Sequence, residues 1–498
     1  MKKILLYIIP LIGMLSTGCK KDYLETAPSN AISEKKIYED IAKVYSALNG
    51  ANKELFAYAT GSTATSHDIF GQKGFDLASD LMGNDMVVHS QGYGWFNADY
   101  NYTEWGIATQ NRQSDLAWYF YFDIIKQTNI LLNNIDAVAT TTTNKEIIKG
   151  QALGLRAYAY YYLINYFQQT YKGNEGKPGV PVYTAVSTDG KGRGTVKEVY
   201  DQIIKDLTLA ETLLTGKARA SKVNIDLSVV QGFRARVGLL MEDWATASTY
   251  ANKARQGYTL MSTTNYTQRT AFSSISNPEW MWGSLISSSD ATIYASYFSH
   301  IDISTGGYAA LGGQKKITKS LYDQINAADT RKKVFKTPGS GVAANVDYNQ
   351  LKFQVPTAGS WAGDYLYMRA AEMYLIEAEA LSRQNNEAQA RTVLETLIKT
   401  RFPAYDASSF AGSSLINEIL LQRRIELWGE GFALMDIKRL NQGLNRPNGP
   451  GNHGAPNFDP GVYSTSAADP RFLTRVPRRE LDNNSKMTAA DQIGRAHV

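Results

Sequence analysis

The chain has 498 residues, of which 43% are hydrophobic and 20% are charged, and its net charge is +5. This composition is ordinary for a globular protein and provides enough apolar residues for a large core. The net charge is small and no long basic run is present, which argues against nucleic acid as a partner. Cys19 is the only cysteine, so the chain can form no intrachain disulfide.

The first nineteen residues have the layout of a bacterial lipoprotein signal peptide. Lys2 and Lys3 precede an apolar run over 4–15, and three small residues lead to Cys19. The run is shorter than the ~20 residues that a membrane-spanning helix needs. We therefore expect 1–18 to be removed and Cys19 to be acylated, which would anchor the domain to a membrane without crossing it. The alternative is an ordinary secretory signal with an incidental cysteine.

Helical periodicity follows in three stretches. Residues 32–55 have helical spacing, and apolar side chains recur at steps of three and four residues over 114–138. A third helix is predicted over 145–168, where apolar and aromatic residues cover more than one face. Such a helix belongs inside a helical array. The prolines of 178–182 then predict an extended segment.

Two segments look like copies of one unit of about 30–35 residues. In 228–257 and in 366–401, two helical patterns are separated by a break, at Glu242 in the first segment and at Asn385 in the second. Small alanines stand where the two helices would cross closely. This texture resembles tetratricopeptide repeats, which build scaffolds and binding surfaces. The alternative is a pair of unrelated helical hairpins.

Two long polar segments interrupt the helical pattern. Residues 60–109 and 259–361 are rich in Ser, Thr, Gly and Asn, with tryptophans interspersed. The second segment is predicted to form irregular loops with a few short strands. Long loops in a compact protein are either functional or disordered, and the frequent aromatic residues argue against disorder.

Catalytic chemistry finds little support in the sequence. The five histidines are scattered and form no metal-binding pattern. Asp80 and Asp85 could in principle bind calcium, but their spacing favours a role in capping a turn. Glu377 and Glu379 lie two residues apart on a predicted helix, and we interpret them as structural partners of arginines. We expect no catalytic residue, no metal site and no cofactor.

Several motifs recur from one end of the chain to the other, and the segment 368–380 is the most specific of them. The motifs are LRAYAYYYL (155–163), GVPV (179–182), VYDQIIKDL (199–207), MRAAEMYLIEAEA (368–380), RRIELWGEG (423–431) with DIKR (436–439), and VP (476–477) with ELDNN (480–484). Together with the leader, they resemble the SusD/RagB family of outer-membrane lipoproteins of Bacteroidetes. The resemblance spans essentially the whole chain.

The resemblance implies a mainly α fold, in which a tetratricopeptide-like scaffold of helical pairs packs against a loop-rich ligand-binding half with few short strands. It also implies a cell-surface nutrient-binding lipoprotein of the outer membrane, facing the exterior. Such a protein captures oligosaccharide and delivers it to a SusC-like TonB-dependent transporter. The same role with peptide ligands is the alternative. A third possibility, a surface glycosidase, would need two acids about 5–10 Å apart, for which only Asp80 and Asp85 qualify.

The composition of one predicted loop indicates where a sugar could bind. A sugar has a hydroxyl rim and an apolar C–H face, so its site needs flat aromatic rings beside amide and acid side chains. Residues 93–105 hold the densest such mixture. The candidates are Trp95, Tyr93, Tyr100 and Trp105, with Asn97, Asp99 and Asn101 as polar partners, and a second set of Tyr294, Tyr297, Tyr308 and Trp361. The alternative for each aromatic residue is that it packs a loop onto the helices.

The charged residues of the strongest motifs are interpreted as structural, because opposite charges alternate there at helical spacings. They are expected to connect the last helices through ion pairs. These residues are Arg369, Glu372, Glu377, Glu379, Arg423, Arg424, Glu426 and Glu430.

The sequence is therefore divided into six predicted segments. The last six residues can be written as the translation of a common sequencing adapter, and we expect them to be an assembly artefact. The segments are a lipoprotein signal peptide (1–18), a lipidated tether (19–30), an N-terminal helical region (31–258), a loop-rich ligand-binding insertion (259–361), a C-terminal helical region (362–492) and the artefact (493–498).

Overall fold

A computed structural model describes residues 37–58, 66–103, 112–339 and 346–493. These residues form a mainly helical fold with few short strands, as predicted. The predicted leader and tether, including Cys19, lie outside the described residues, as do 494–498. The α-helices are α1 (Ile41–Glu54), α2 (Gln72–Leu81), α3 (Asn97–Asn101), α4 (Arg112–Asn134), α5 (Thr142–Phe167), α6 (Val196–Leu214), α7 (Leu227–Met241), α8 (Trp244–Ala254), α9 (Thr263–Tyr266), α10 (Tyr297–Ile301), α11 (Lys319–Tyr322), α12 (Ala370–Arg383), α13 (Glu387–Ile398), α14 (Ser413–Glu426), α15 (Ala433–Arg439) and α16 (Arg478–Asn483).

Among the described residues, four short strands pair as two antiparallel sheets. The strands are β1 (Met86–Val88), β2 (Trp280–Ser284), β3 (Lys315–Ile317) and β4 (Tyr365–Arg369). In the first sheet Met86 lies opposite Ile317, and in the second Trp280 lies opposite Arg369. Each sheet therefore connects the predicted loop-rich segment to another part of the chain. β4 runs directly into α12, so the second sheet joins the loop-rich segment to the last helical pair without a linker.

Both predicted helical pairs are present, as α7–α8 and α12–α13, and α8 also packs against α12. The turns fall at the predicted breaks, where Glu242 and Asn385 adopt left-handed backbone conformations with φ of 59° and 62°. A Cβ added to Gly238 would lie 2.8 Å from the backbone nitrogen of Ala247. The first pair can therefore cross closely because its contact residues are small.

The helix α5 is buried on nearly all sides, as its sequence predicts. Every residue over 150–167 is buried, and α4 and α6 pack against the helix. Arg156 is held inside by Asp206 of α6, with Nε–Oδ2 and Nη2–Oδ1 distances of 2.8 and 2.6 Å. A third bond, from Arg156 Nη1 to Asn129 Oδ1 at 2.7 Å, connects α4 to the same pair. The array is thus held by packing and by a paired buried charge.

A network of buried charges joins the second sheet to the C-terminal helices. Arg369 Nη1 lies 2.7 Å from both Glu279 Oε1 and Glu426 Oε1, and Arg401 Nη2 lies 2.9 Å from Glu426 Oε1. Cations and anions are equal in number. We refer to this group as the ionic cluster, and its members are Arg331, Lys352, Arg369, Arg401, Glu279, Asp329, Glu426 and Glu430.

The structure also confirms the ion pairs predicted for the other motif residues. Most of these pairs join different helices, so they connect the helical pairs to one another. The pairs are Arg236–Glu372, Arg255–Glu377, Arg439–Glu379, Arg423–Asp436 and Arg424–Asp85.

Candidate functional site

The pairing of β1 with β3 brings two distant loops to one place. Because the strands are antiparallel, the residues that follow β1 lie beside those that precede β3. The nitrogen of His89 donates to the carbonyl of Gln314 at 3.0 Å, and Ser90 Oγ donates to the carbonyl of Gly312 at 2.6 Å. The loop that carries Tyr93 and Trp95 is thereby fixed against the one that carries Tyr308.

Four of the predicted aromatic residues meet at this point. The ring of Tyr308 is central, with centroid distances of 5.2 Å to Tyr93, 5.9 Å to Trp95 and 5.4 Å to Tyr294. Burial raises the pKa of the Tyr308 hydroxyl, and the neighbouring Trp95 opposes this rise. The two candidate sets, far apart in sequence, thus supply one surface.

His67 completes this surface and was not predicted from the sequence. Its ring stacks on Tyr294 with a centroid distance of 5.8 Å and an angle of 10°, and its Nδ1 lies 2.5 Å from the hydroxyl of Tyr308. The carbonyl of His67 accepts a hydrogen bond from Nε2 of His300 at 2.7 Å. Burial lowers the pKa of His300 to about 3, so this imidazole stays neutral and holds the loop in place. A lone histidine in a polar loop carries no pattern that could have marked it.

We call His67, Tyr93, Trp95, Tyr294 and Tyr308 the aromatic cluster. Tyr93 is 68% exposed and Tyr294 is 40% exposed, whereas Tyr308 is only 9% exposed and lies beneath them. Trp95 and His67 are half-buried. The cluster therefore presents ring faces and polar edges to solvent over a fixed base, and none of its side chains is a carboxylate or an ammonium group.

Three polar residues and Tyr100 of the first candidate set lie in or next to the short helix α3, where a loop was predicted. Left-handed residues flank α3 on both sides. Tyr100 is fully buried and its hydroxyl lies 2.6 Å from Nδ1 of His453. Asp99 is also fully buried and Asn97 is 8% exposed, so the expectation that Tyr100, Asp99 and Asn97 face a ligand is corrected. The Asn97 amide donates to the carbonyl of Gln91 at 3.2 Å and supports the loop before Tyr93.

The other candidates occupy different surroundings. Tyr297 is 1% exposed and donates to the carbonyl of Gly429 at 3.0 Å, so it is a core residue rather than a surface ring. Trp361 is half-buried and donates to the carbonyl of Ala291 at 3.1 Å. Asn101 is half-buried at the end of α3, and Trp105 lies outside the described residues.

The acidic pair that a glycosidase would need has structural partners. Asp80 accepts from the nitrogens of Gly431 and Ala433 at 2.8 and 3.1 Å, and burial raises the pKa of Asp80 to about 7. Asp85 pairs with Arg424 at 2.6 Å. Asp80 is thus a cap, as interpreted, but it caps backbone far along the chain. Within the part of the chain that the structure describes, no group of three His, Cys, Asp or Glu residues could hold a metal ion.

Comparison with known proteins places the chain in a family. A model described as starch-binding and associating with the outer membrane matches residues 22–239, and the SusD family model matches 346–492. The chain belongs to the SusD family. It is 25% identical to SusD-like protein P2 of Formosa agariphila, over 97% of this chain and 98% of that one.

Solved structures show the same SusD-like fold. A SusD-like carbohydrate-binding protein from Bacteroides vulgatus superposes with a TM-score of 0.80 at 27% identity, covering 92% of this chain and 99% of the other. Surface glycan-binding protein A from Bacteroides thetaiotaomicron, solved with laminarihexaose, gives a TM-score of 0.70 at 15% identity, covering 91% and 99%. The first comparison supports family membership, and the second shows the fold alone.

Proposed function

We propose that this SusD-family chain captures oligosaccharides on the aromatic cluster at the cell surface and delivers them to a SusC-like TonB-dependent transporter. The observation that carries the proposal is the convergence of Tyr93, Trp95, Tyr294 and Tyr308 on one partly exposed surface. Sugar C–H faces pack on exposed rings and exclude water, which is the largest favourable contribution available at such a surface.

The polar edges of the cluster suit the hydroxyl rim of a sugar. The tyrosine hydroxyls and the ring nitrogens of His67 both donate and accept hydrogen bonds, as sugar hydroxyls require. Because the cluster contains no carboxylate or ammonium group, we infer that its ligand is a neutral oligosaccharide. The laminarihexaose bound by the glycan-binding relative is a ligand of this chemical kind.

The first test is calorimetry with the chain from residue 20 onward and a panel of neutral oligosaccharides, acidic oligosaccharides and peptides. We expect a neutral sugar to bind, and Trp95→Ala and Tyr294→Ala each to weaken its binding by about tenfold or more, which is about 1.4 kcal/mol or more. Trp244→Ala is the matched control, since it removes a half-buried tryptophan at the start of α8. Binding of peptides alone, or sugar binding that is indifferent to Trp95 and Tyr294, would contradict the proposal.

The anchor and the transporter need separate tests. Among the described residues, no helix is long and apolar enough to span a bilayer. We infer that acylation of Cys19 holds the chain on the outer face of the outer membrane. Cys19→Ser should release the chain from the membrane fraction, and the intact protein should copurify with a large outer-membrane barrel. Membrane retention of Cys19→Ser would refute the anchor, and absence of any copurifying barrel would refute the delivery role.

A further inference from the structure

Lys315 carries a buried ammonium group at the end of the loop that carries Tyr308. It is the first residue of β3, it is 2% exposed and it lies opposite Val88 of β1. Burial lowers the pKa of Lys315 to about 7, and no described carboxylate forms an ion pair with it. A buried cation without an anionic partner destabilises the folded state. Residues that break such a rule are expected at functional sites, so we asked what Lys315 holds in place.

The ammonium group of Lys315 closes the turn that follows Tyr308. Its Nζ donates to the carbonyl of Gly313 at 2.7 Å, and the nitrogen of Gly313 donates to the carbonyl of Tyr308 at 3.0 Å. A Cβ added to Gly313 would lie 3.0 Å from that same carbonyl oxygen, so the turn is tight. A hydrogen bond from a charged donor is stronger than one from a neutral donor. Lys315 is therefore connected to the backbone of Tyr308 through a single residue.

The start of the same loop is held by neutral groups. The nitrogen of Tyr308 donates to Oγ of Ser299, a fully buried residue of α10, at 3.2 Å. Between the two ends, Leu311 is exposed and the carbonyl of Gly312 accepts from Ser90 Oγ at 2.6 Å. A loop with an exposed middle keeps one conformation only when both of its ends are fixed. The serine contacts and the ammonium group together provide this restraint.

The arrangement of this loop determines the arrangement of the aromatic cluster. Tyr93, Trp95 and Tyr294 all pack against the ring of Tyr308, so a displacement of that ring would displace its neighbours. A site whose groups are already in place binds more tightly than one that must be ordered by its ligand. Loss of the restraint at the end of the loop should therefore weaken binding on the cluster.

We propose that Lys315 is a positioning residue of the sugar site: its ammonium group holds the loop of Tyr308 in the arrangement that binds oligosaccharide, although the same group lowers the stability of the fold. This inference rests on the function proposed for the aromatic cluster. A residue that served the fold alone would support stability and affinity together. Removal of the Lys315 charge should instead raise stability and lower affinity.

The test exchanges the ammonium group for a methyl group of similar size. The chain from residue 20 onward contains no cysteine, so Lys315→Cys introduces a unique thiol. Alkylation of the unfolded variant with 2-bromoethylamine, followed by refolding, restores an ammonium group at the length of lysine, and 1-bromopropane gives the uncharged counterpart. We expect the propyl form to bind the neutral oligosaccharide about threefold to tenfold more weakly than the aminoethyl form. At pH 6 the propyl form should also unfold at a higher urea concentration.

The matched control is Lys438, which has the same kind of environment in another part of the fold. Lys438 is a buried residue of α15, its Nζ donates to the carbonyl of Gln168 at 2.7 Å, and burial lowers its pKa to about 7. Lys438→Cys, alkylated in the same two ways, should give forms whose sugar affinities differ by less than about twofold. Wild-type chain that is unfolded, treated and refolded in parallel reports any loss caused by the procedure.

Hydrogen–deuterium exchange measured by mass spectrometry tests the positioning step without a sugar. The nitrogens of Leu311 and Gly313 donate within the loop, so their amides should exchange at least about threefold faster in the propyl form at position 315 than in the aminoethyl form.

Three results would overturn the proposal: equal exchange in the two forms, equal affinity for a sugar that Trp95→Ala no longer binds, or a propyl form that loses stability together with affinity. Sugar binding that is indifferent to Trp95→Ala contradicts the proposed function instead, and exchange then decides alone whether Lys315 orders the loop.

Discussion

Replacing Glu426 by glutamine should strongly destabilise the protein, because this residue is the anion shared by three arginines of the ionic cluster. Glu426 is fully buried and lies 2.7 Å from Arg369 Nη1, 2.9 Å from Arg401 Nη2 and 3.3 Å from Arg331 Nη1. Burial alone would raise the pKa of Glu426, but Arg401, Arg369 and Arg331 hold this pKa well below its usual value. The carboxylate is therefore ionised at neutral pH.

The magnitude follows from the balance of charge. The ionic cluster has four cations and four anions, so Glu426→Gln leaves one positive charge uncompensated in a region without solvent. Removing one partner from a buried ion pair costs about 3–5 kcal/mol, and glutamine keeps the volume, so little of this cost comes from a cavity. We expect a loss of about 3–5 kcal/mol in the free energy of unfolding, measured by urea denaturation with circular dichroism at pH 7.

The matched control is Glu395→Gln, which changes the same group on the surface. Glu395 pairs with Lys399 at 2.7 Å across one turn of α13, where both side chains are partly exposed, and its loss should cost less than about 1 kcal/mol. If the two variants lose similar stability, the stranded-charge reasoning is refuted. Oligosaccharide binding by Glu426→Gln should persist wherever the variant is folded, because the aromatic cluster is built from other residues.

Three further predictions concern single contacts. His67→Phe keeps an aromatic ring at this position but removes the hydrogen bond to Tyr308, so calorimetry should show oligosaccharide binding about threefold to tenfold weaker. Unchanged binding would refute the role of His67 in the proposed site. Burial lowers the pKa of Lys315 to about 7, so the cost of burying its charge is paid in full below pH 7 and falls as pH rises towards 10.5. The free energy of unfolding of Lys315→Met should therefore exceed that of the wild type at pH 6, and the difference should narrow by pH 10. A difference that does not change with pH would contradict this prediction. Arg156→Met strands Asp206 and should cost about 3–5 kcal/mol in urea denaturation, and a loss below 1 kcal/mol would contradict the pairing.

The helical scaffold could be predicted because its signals are local. The periodicity of 145–168 lies within a few residues of the observed α5, Thr142–Phe167. The breaks of both helical pairs also fall where predicted, at Glu242 and Asn385, since a change of residue pattern marks a helix end. Helix packing uses spacings of three and four residues, which a single sequence displays directly.

The proposed binding surface could be predicted only in part, because it depends on strand pairing between distant residues. The mixture of aromatic and amide residues predicts Tyr93 and Trp95 as ligand contacts, which stays a prediction, but nothing local placed Tyr308 beside them. The sequence around Tyr100 has the same composition, yet Tyr100 is buried. The residues on both sides of α3 adopt the left-handed backbone conformation, which is uncommon for residues other than glycine and turns the helix inward. Which ring of a loop faces solvent is decided by such backbone turns and not by composition.

The most recognisable motifs and the proposed site have different physical roles. The segments 368–380 and 423–431 supply Arg369 and Glu426 to the ionic cluster, where a substitution strands a charge, so these positions tolerate little change. The aromatic cluster lies on loops that fixed strands hold in place, and loops accept new side chains without disturbing the core. The family motifs therefore build the charged core, whereas the proposed ligand contacts lie in residues such as Tyr93 and Tyr294. Replacing both tyrosines with other side chains should change which sugar binds. The free energy of unfolding should stay within about 0.5 kcal/mol of the wild-type value, because both positions are exposed.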